Sequence, residues 1–579
     1  MGNAYAKITF MKGLDFTSTI GVNRTINMNP YYNSTQSDIV NGVGGNQASI
    51  TNNRSLQILW SNILNYNTIF NKMHSLNVML GQEAQSYEYF QNVATIDGIS
   101  DDYYQWYNMG AGSTLKAPSS NYTGDKMLSY FARINYSFKD RYLVTVTGRF
   151  DGSSKFGEDN RFAFFPSAAL GWRASEEDFL KGNKVISNLK PRVSYGFTGN
   201  SGIPTYGSMA NLSTNGMAYP FGGTRENGIG VGSLANPLLR WEKTGQFNVG
   251  LDLGFLNERI SLSADYYIKH TTDMLLNAPV PTTSGFRSIS TNIGNMRNSG
   301  FEFTLNTQNI QTKNFSWSSM LNFSSLKNKI TALSQGDADI IMAPNNLTIL
   351  RVGESVGSFF GYIRDGVWGE NETEQAAIYG KLPGDAKLRD VNNDKQINES
   401  DRVILGKGIP DFYGTFTNTF KYKDFDLVIE LQYSCGSKIY WDGLGTCAMR
   451  QGIANSLSMV LDTWTPENQG ATLEQIRPSN AYYNSLKDDA RLYNGSFIRG
   501  KNISLGYNLP SDICKKLHLK ALRVTLSAQN IFVISQYPGF DPETTVYNTT
   551  TQNEAFAQNI ETFGYPKPRT FSFGANITF

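Results

Sequence analysis

The stretch LSYFARINYSFKDRYLVTVTGR, residues 128–149, alternates apolar and polar side chains in two consecutive runs. Tyr130 and Ile134 lie on the apolar face of the first run, and Val144 and Val146 lie on that of the second. Successive side chains of a β-strand point to opposite faces, so each run predicts a strand with one apolar and one polar face. Because only the residues KDR separate the two runs, the stretch predicts an antiparallel β-hairpin.

The same alternation recurs along the whole chain, in about 17 segments. These segments lie near residues 4–11, 14–27, 55–68, 74–90, 126–139, 141–152, 162–174, 189–199, 239–254, 259–270, 299–308, 315–325, 411–422, 424–435, 496–508, 520–531 and 568–579. Their connections alternate between tight turns such as KDR and long stretches rich in Gly, Asn and Ser. All the long connections therefore fall on one side of the predicted sheet.

Composition excludes several classes of protein. Only 17% of the residues are charged, 13% are aromatic and 54 are glycine, which favours β structure with many turns. A net charge of +2 without a clustered basic stripe gives no electrostatic footprint for nucleic acid. No run of about 18 apolar residues occurs, which excludes a helical membrane span, but a β span needs only about 10 alternating residues.

Strand length and loop placement favour a membrane barrel over a soluble β-sandwich. A sandwich has no reason to place its long loops at one end, or to use strands about twice the usual length of roughly 5–6 residues. An outer-membrane barrel has short periplasmic turns, long outer loops and a polar lumen, and its strands must cross an apolar band about 25 Å tall. The fold predicted from the residues is all-β: a transmembrane antiparallel β-barrel.

Several segments resemble the SusC/RagA-like TonB-dependent outer-membrane transporters of the Bacteroidota. The strongest is residues 128–180, which is similar to a strand pair and the loop that follows it in this family. NKMHSLNVMLGQE at 71–83, VGSFFGYIRDGVW at 356–368, residues 383–427 and the terminal GYPKPRTFSFGANITF also resemble the family. Together these segments span nearly the whole chain.

The resemblance implies a barrel of 22 strands in the outer membrane of a Gram-negative bacterium, with extracellular loops. It implies import of oligosaccharides or peptides, energised by the TonB complex, with a SusD-like lipoprotein closing the outer mouth. The terminal Phe579 resembles the signal that the outer-membrane assembly machinery reads. No cofactor and no catalytic residue is implied.

The front of the sequence departs from that family. Its members begin with a signal peptide, a TonB-contacting segment and a globular plug, whereas MGNAYAKITFMKGLDFTS has no apolar signal core and predicts strand almost at once. We therefore expect residues 1–579 to be the C-terminal part of the barrel, without plug or signal peptide, and unable to transport alone. Parity supports this expectation, because a bacterial barrel has an even number of strands and about 17 is odd.

Two other classes of function can be compared with the transporter on the basis of the residues. One is a surface barrel that does not transport and whose long loops serve binding or adhesion. An enzyme is disfavoured, because the sequence holds only the histidines His74, His270 and His518, and none stands in a nucleophilic or metal motif. These histidines are predicted to be structural.

The stretch DVNNDKQINESD, residues 390–401, matches a calcium-loop template. Its oxygen-bearing side chains stand at template positions 1, 3, 5, 7, 9 and 12: Asp390, Asn392, Asp394, Gln396, Asn398 and Asp401. Lys395 occupies the position where the template needs glycine, and an aspartate replaces the bidentate glutamate. The pattern predicts weak calcium binding at the millimolar end of the range; the alternative is a solvated loop of Asx-turns.

Two further groups of residues are candidates in the long loops. DDYYQWYNMG, residues 101–110, presents aromatic rings for stacking on sugar rings or peptide groups, or for local packing and an interfacial girdle. These rings belong to Tyr103, Tyr104, Trp106 and Tyr107. Cys435 and Cys447 flank GSKIYWDGLGT and are open to a disulfide or to free thiols, with Cys514 left over.

Overall fold

The computed structural model describes residues 1–35, 46–214, 218–342, 346–448, 456–476, 487–544, 556, 558–562 and 564–579. Contacts divide the chain into two compact units. Unit 1 comprises Met1–Trp172, Ser194–Gly245 and Asp273–Ile293. Unit 2 comprises Arg173–Val193, Gln246–Thr272 and Gly294–Phe579.

Strands dominate both units. Up to residue 293 the strands are β1 (Gly2–Met11), β2 (Leu14–Asn33), β3 (Gln47–Phe70), β4 (His74–Ile99), β5 (Gly112–Leu115), β6 (Ser119–Phe138), β7 (Tyr142–Ser153), β8 (Phe162–Trp172), β9 (Ile186–Asn200), β10 (Leu212–Ser213), β11 (Ala218–Phe221), β12 (Thr224–Asn227), β13 (Gly230–Val231), β14 (Glu242–Phe255), β15 (Ile260–Thr272), β16 (Leu275–Pro279) and β17 (Ser288–Asn292).

The later strands all lie in unit 2. They are β18 (Asn295–Gln311), β19 (Phe315–Ser325), β20 (Lys327–Ala332), β21 (Ile340–Met342), β22 (Thr348–Leu350), β23 (Ser358–Gly361), β24 (Arg364–Val367), β25 (Ala386–Leu388), β26 (Val403–Lys407), β27 (Phe412–Tyr422), β28 (Phe425–Cys435), β29 (Lys438–Trp441), β30 (Leu492–Asn494), β31 (Phe497–Asn508), β32 (Ala521–Gln529), β33 (Val533–Ser535), β34 (Ile560–Glu561) and β35 (Thr570–Thr578).

Helices are short throughout the described residues. The α-helices are α1 (Ser334–Asp337), α2 (Thr373–Ile378), α3 (Gly443–Ala448) and α4 (Ser511–Lys516). Single 3-10 turns lie at Asp102–Tyr104, Met109–Ala111, Glu158–Asn160, Ala174–Glu176, Thr282–Ser284, Glu370–Glu372, Glu399–Asp401, Ser458–Asp462 and Asp489–Arg491. Among the described helices, none has the length and apolar character needed to cross a membrane.

Unit 1 is an antiparallel meander in which each long strand pairs with the next along the chain. Successive pairings join β1, β2, β3, β4, β6, β7 and β8. The predicted hairpin is confirmed, because Phe138 pairs with Tyr142 across the turn. Its turn residues Lys139 and Asp140 both have positive φ, and a turn of that kind matches the right-handed twist of the strands it joins.

Unit 2 continues the same pattern. Pairings join β15, β18, β19, β27, β28, β31, β32 and β35 in order, and all are antiparallel. Strand β20 follows β19 and pairs with the same neighbour, β18. The prediction of an all-β antiparallel fold is confirmed, whereas the expected strand count and the absence of a plug stay predictions.

The two faces of the unit 1 sheet differ as the alternation predicts. On one face the register aligns Ile20, Trp60, Ala84 and Leu128 in a single row across four strands. Ile20 and Trp60 are exposed there, and a soluble protein rarely leaves so wide an apolar face uncovered.

The opposite face of unit 1 is held together by side-chain amides and hydroxyls. The Asn77 amide donates to Asn65 at 2.8 Å, and the Asn135 amide donates to Asn77 at 3.1 Å. The Thr145 hydroxyl donates to Asn135 at 2.9 Å, so this row of side-chain hydrogen bonds reaches a fourth strand.

In unit 2, charged side chains on the polar face form ion pairs. Arg523, for example, donates to Asp426 at 2.6 Å.

The strands extend further into the long connections than the sequence predicts. Strand β2 continues to Asn33 instead of ending near 27, β3 begins at Gln47 instead of near 55, and β4 runs to Ile99 instead of near 90. Pairs such as Asn53 with Gln91 satisfy the backbone there, although both side chains are polar. Beyond the apolar band neither face of the sheet needs apolar residues. The apolar–polar alternation of side chains therefore ends there, while the backbone pairing between strands continues.

Each unit also carries small buried cores formed by its connections. In unit 1, Phe156, Phe165 and Trp241 pack together, and we call these rings with Ala163, Ile203 and Leu239 the unit 1 loop core. In unit 2 we call the described residues that connect β20 to β27, β28 to β31 and β33 to β35 the unit 2 loop layer. Its core contains Leu347, Phe359, Tyr440 and Ile560, all nearly inaccessible to solvent.

Candidate functional site

A cavity of about 800 Å³ lies in unit 2, where strand ends meet the loop layer. Gln432 and Ser434 line it from the polar face of β28, and Tyr413 on β27 pairs with Ser434. Phe497 and Pro410 supply apolar wall. The cavity therefore offers a mixed surface on the polar side of the sheet, which is typical of sites that bind small polar ligands.

A buried charge network borders this cavity. The Arg499 side chain is 2% exposed and donates from Nη2 to Asp541 Oδ1 at 2.6 Å, with Glu543 Oε2 at 3.1 Å. Glu543 also accepts from the Gln432 amide at 2.8 Å and from the Lys567 ammonium at 2.7 Å. The network therefore ties two strands to the last long connection of the chain.

The network sets the charge state of the cavity wall. Burial alone raises the pKa of the Glu543 carboxyl, but Lys567, Arg499 and Gln432 together hold that pKa below its usual range. Beside the cavity, Arg499 Nε and Thr544 Oγ1 are buried and have no hydrogen-bond partner among the described residues. Thr544 lines the cavity, and its enclosed hydroxyl is an unpartnered polar group behind the cavity wall.

A second buried ionic cluster lies within the unit 2 loop layer. Arg364 Nη2 donates to Glu474 Oε1 at 2.6 Å, and its Nε donates to Asp488 Oδ2 at 2.9 Å. Burial by itself lowers the pKa of the Arg364 guanidinium, but the carboxylates of Asp488 and Glu474 raise it overall. Arginine therefore stays charged while fully enclosed.

The predicted aromatic residues divide between exposed and packed positions. Tyr103 is 87% exposed and Tyr107 is 73% exposed. Trp106 stacks on Tyr107 with ring centroids 4.1 Å apart and packs against a small buried cluster that includes Ile99. Tyr104 meets Tyr103 edge to face at 6.1 Å. The structure thus brings the four rings together as two pairs on one loop, and their proposed role in ligand stacking stays a prediction.

Asp102, which the sequence did not single out, anchors this aromatic loop. Its carboxylate accepts hydrogen bonds from the Tyr32 hydroxyl and from the Thr35 hydroxyl, the latter at 2.7 Å. The Asn46 amide also donates to it at 3.3 Å. The hydrogen bonds from Tyr32 and Thr35 lower the pKa of the Asp102 carboxyl from 3.8 to about 2.

The aromatic loop should consequently detach in acid. A carboxyl with a lowered pKa in the folded state stabilises the fold above its unfolded pKa, and this contribution is lost as pH falls towards about 2. We expect protease cleavage within residues 100–110 to be slow from pH 7 to pH 4 and to accelerate below that, as followed by acid-active protease and mass spectrometry. Asp102→Asn should be cleaved readily at every pH.

Asp101→Asn is the matched control for that experiment. Among the described residues the Asp101 side chain accepts from the backbone N–H of Tyr103, at 2.8 Å, and asparagine caps a helical turn equally well. Equal acid sensitivity in wild type and Asp102→Asn would contradict an anchoring role for this carboxylate.

The calcium-template loop lies between β25 and β26 and is organised by Asx-turns. Asp390 accepts from the backbone N–H of Lys395 at 2.8 Å, and Asp394 accepts from that of Gln396 at 2.8 Å. Asp401 is buried and accepts from Val391 N–H at 2.8 Å and Asn398 N–H at 2.9 Å. Across the described residues no three His, Cys, Asp or Glu side chains are grouped for a metal ion. Calcium binding stays a prediction.

The family assignment follows from a comparison with known protein families. The profile described as "TonB dependent receptor-like, beta-barrel" matches residues 3–531. The chain belongs to this TonB-dependent receptor β-barrel family. The antiparallel meander is therefore the wall of an outer-membrane barrel, and the row of apolar side chains on unit 1 is its lipid-facing surface.

Curated relatives of this TonB-dependent receptor barrel come from the Bacteroidota. The chain is 35% identical over 589 residues to TonB-dependent receptor P3 of Formosa agariphila, covering 100% of this chain and 58% of the relative. It is 34% identical over 481 residues to TonB-dependent receptor SusC of Bacteroides thetaiotaomicron, covering 80% of this chain and 45% of the relative. The chain thus spans about half the length of these relatives.

A solved structure agrees with this assignment. The RagAB peptide transporter superposes with a TM-score of 0.84 at 26% identity, covering 100% of this chain and 61% of that one. The SusC/RagA resemblance noted in the sequence is confirmed. The family is one of receptors and transporters. His74 stacks on Phe70 and bonds to Tyr136 at 2.7 Å, while the structural role predicted for all three histidines stays a prediction.

Other predicted residues of the receptor barrel are placed without being tested. Phe579 follows β35 and is exposed, and its role as an assembly signal stays a prediction. Cys435 and Cys514 carry free thiols. The side chain of Cys447 lies outside the described residues, so the suggested pairing with Cys435 receives no support.

A substitution at Lys395 tests whether the calcium-template loop of the receptor barrel binds calcium. It stands at the glycine position and adopts the left-handed conformation that glycine favours, with φ of 64°. Lys395→Gly should stabilise the loop by about 1 kcal/mol, because L-residues are strained there. It also removes a cation beside the carboxylates, so calorimetric titration with calcium chloride should show several-fold tighter binding.

Asn393→Gly is the control, because Asn393 has φ of 60° but asparagine tolerates this conformation. Asp390→Ala combined with Asp394→Ala should abolish calcium binding. The absence of a binding heat in both wild type and Lys395→Gly would show that the loop is merely solvated.

Proposed function

We propose that this chain forms the barrel wall of a TonB-energised outer-membrane importer of oligosaccharides or peptides, working with a SusD-like lipoprotein. The observation that carries the proposal is the cavity on the polar side of the sheet, bordered by Arg499, Glu543 and Lys567. Arg499 is buried beside this cavity and Glu543 and Lys567 line it, and ligand sites typically combine apolar wall with a few charged or polar groups that orient the ligand.

The chemistry of the cavity suits ligands rich in hydroxyl or amide groups. Lys567 and Glu543 present both charges at its wall, the Thr544 hydroxyl lacks a partner among the described residues, and Tyr413 offers a ring. Oligosaccharides and peptides both combine hydrogen-bonding groups with surfaces that stack on rings. The relatives support the same reading, since one is named SusC and the RagAB structure is titled a peptide transporter.

The partners are proposed on the same basis. A SusD-like lipoprotein would cover the long-loop end, which we propose to be extracellular. Contact with the TonB complex is assigned to the part of the relatives' length that these 579 residues do not span. Outer-membrane assembly would use the terminal strand that ends at Phe579.

Uptake measurements test this proposal. The protein is expressed from its own gene with its neighbours, and import of labelled oligosaccharide and peptide mixtures is compared between wild type and Glu543→Gln. The neutral side chain removes the carboxylate of Lys567 and leaves Arg499 paired with Asp541 alone, and we expect the apparent affinity for the imported class to fall about 10-fold. Only one of the two mixtures should be imported.

Glu374→Gln is the matched control, since Glu374 is an exposed carboxylate on α2 at a distance from the cavity wall. It should import as wild type does. Binding of either mixture at the cell surface without TonB-dependent import would favour an adhesion barrel instead.

A further inference from the structure

A groove of about 540 Å³ lies on the lipid-facing surface of unit 1. The strand register explains its shape, because Trp60, Ala84, Leu128, Gly152 and Phe162 form one continuous row across five strands. Trp60 and Phe162 stand at the ends of this row, Leu128 stands in the middle, and the small residues Ala84 and Gly152 stand between them. Ala84 and Gly152 therefore form the floor of the groove between larger apolar side chains.

The walls of the groove are held in position by aromatic packing. The Phe162 ring lies over Gly152 so closely that a Cβ on this glycine would be 2.3 Å from a ring carbon. Phe162 also stacks on Phe150, with centroids 5.0 Å apart. The Trp60 indole donates to the Ser18 hydroxyl at 3.1 Å. The groove is thus formed by the fold itself.

Basic side chains lie at one end of the groove. Lys126 and Arg161 line it together with the apolar walls, and both are exposed. Towards the long-loop end, Arg24 and Arg54 line a neighbouring cavity of about 300 Å³, with Glu88 as its single carboxylate. Within the described part of the chain none of these four cations has an ion-pair partner. The groove and the neighbouring cavity are thus lined by four cationic side chains and one carboxylate. This excess of positive charge makes the surface complementary to an anion.

The position of the groove along the strands matches the edge of the membrane. Trp60 lies 10 residues from Phe70, where β3 ends at a short turn, and Gly152 lies 10 residues from Tyr142. Ten strand residues span about 33 Å, and a tilt of about 40° reduces this to roughly 25 Å of height, which is the height of the apolar band. The basic residues therefore stand at headgroup level and the groove just below.

We propose that this groove binds an acylated, phosphorylated lipid of the leaflet at the long-loop end. An acyl chain would lie along Trp60, Leu128 and Phe162, and a phosphate would contact Lys126 and Arg161. The neighbouring Arg24 and Arg54 would receive a second phosphate. A lipid is favoured over a protein partner because bilayer surrounds this face, and the proposal rests on the membrane orientation given under the proposed function.

Native mass spectrometry tests the lipid site. The protein is released from outer membranes in mild detergent and titrated with bis-phosphorylated lipid A, and separately with dephosphorylated lipid A. Each cation near a membrane surface contributes about 1 kcal/mol, so Lys126→Gln with Arg161→Gln should weaken binding of the phosphorylated lipid about 30-fold. Binding of the dephosphorylated lipid should not change.

Lys72→Gln is the matched control, because Lys72 is an exposed lysine in the turn at the opposite membrane edge. Ala84→Phe fills the floor and should weaken binding of both lipids, while gel mobility before and after boiling verifies the folded barrel. Equal retention of phosphorylated lipid by wild type and the double variant would overturn the proposal, as would an equal loss in Lys72→Gln. Import can fail while lipid binding holds, so the two proposals are tested separately.

Discussion

Replacing Arg364 with methionine is expected to lower the free energy of unfolding of the unit 2 loop layer by about 3–5 kcal/mol. The Arg364 side chain is 5% exposed, and its partners Glu474 and Asp488 are 2% and 0% exposed. Methionine fills much of the same volume but leaves the Glu474 and Asp488 carboxylates buried without the Arg364 cation. The cost comes from that uncompensated charge more than from lost packing.

Hydrogen exchange of the loop layer is the measurement, read at β23 and β24 and followed in the intact barrel. Arg389→Met is the matched control, because Arg389 pairs with Asp365 at 2.5 Å but both side chains are well exposed. An exposed pair contributes at most about 1 kcal/mol. Equal effects of the two substitutions would contradict a special role for the buried cluster.

A triple variant separates charge from packing. Arg364→Met, Glu474→Leu and Asp488→Leu together remove every charge of the cluster, and replacing a buried ionic group with apolar residues is often neutral or stabilising. We expect the triple variant to recover most of the stability that Arg364→Met alone loses. If it is as unstable as the single variant, shape and hydrogen bonding matter more than charge.

Trp241→Ala is expected to cost about 3–5 kcal/mol in the unit 1 loop core. The Trp241 side chain is 3% exposed and packs on Phe156 and Phe165, with ring centroids 5.2 Å and 5.6 Å away. Its indole also donates to the Arg161 carbonyl at 2.8 Å. Alanine therefore leaves a cavity between two rings and removes one of the two hydrogen bonds that the Arg161 carbonyl accepts, the other coming from the Ser153 N–H at 3.0 Å.

Trp241→Phe and Tyr107→Ala are the controls, measured by thermal unfolding and hydrogen exchange near β8. Phenylalanine keeps most of the ring packing and loses the hydrogen bond, so a loss of about 1–2 kcal/mol is expected. Tyr107 is an exposed aromatic in the same unit, and its removal should change stability by less than about 0.5 kcal/mol. A similar loss in Tyr107→Ala would mean that burial of Trp241 is not the cause.

The strands, the short turns and the apolar faces were predictable from short stretches of sequence. Alternation such as that of Tyr130 and Ile134 is a local property with a period of two, and it decides which face is apolar wherever the chain is extended. Tight turns such as that at Lys139 and Asp140 are also local, because a few residues close them. The Asx-turns of the calcium-template loop are predictable for the same reason.

The charged sites and the far ends of the strands depend on contacts between distant parts of the chain. Arg364 meets partners 110 and 124 residues away, and Arg499 meets Asp541 across 42 residues, so no spacing in the sequence marks them. Strands β2 to β4 continue past the apolar band because neighbouring backbones pair there, although no alternation remains. The apolar–polar alternation in the sequence indicates which side chains face lipid. The cavity, the ionic clusters and the lipid groove depend instead on which strands and loops become neighbours.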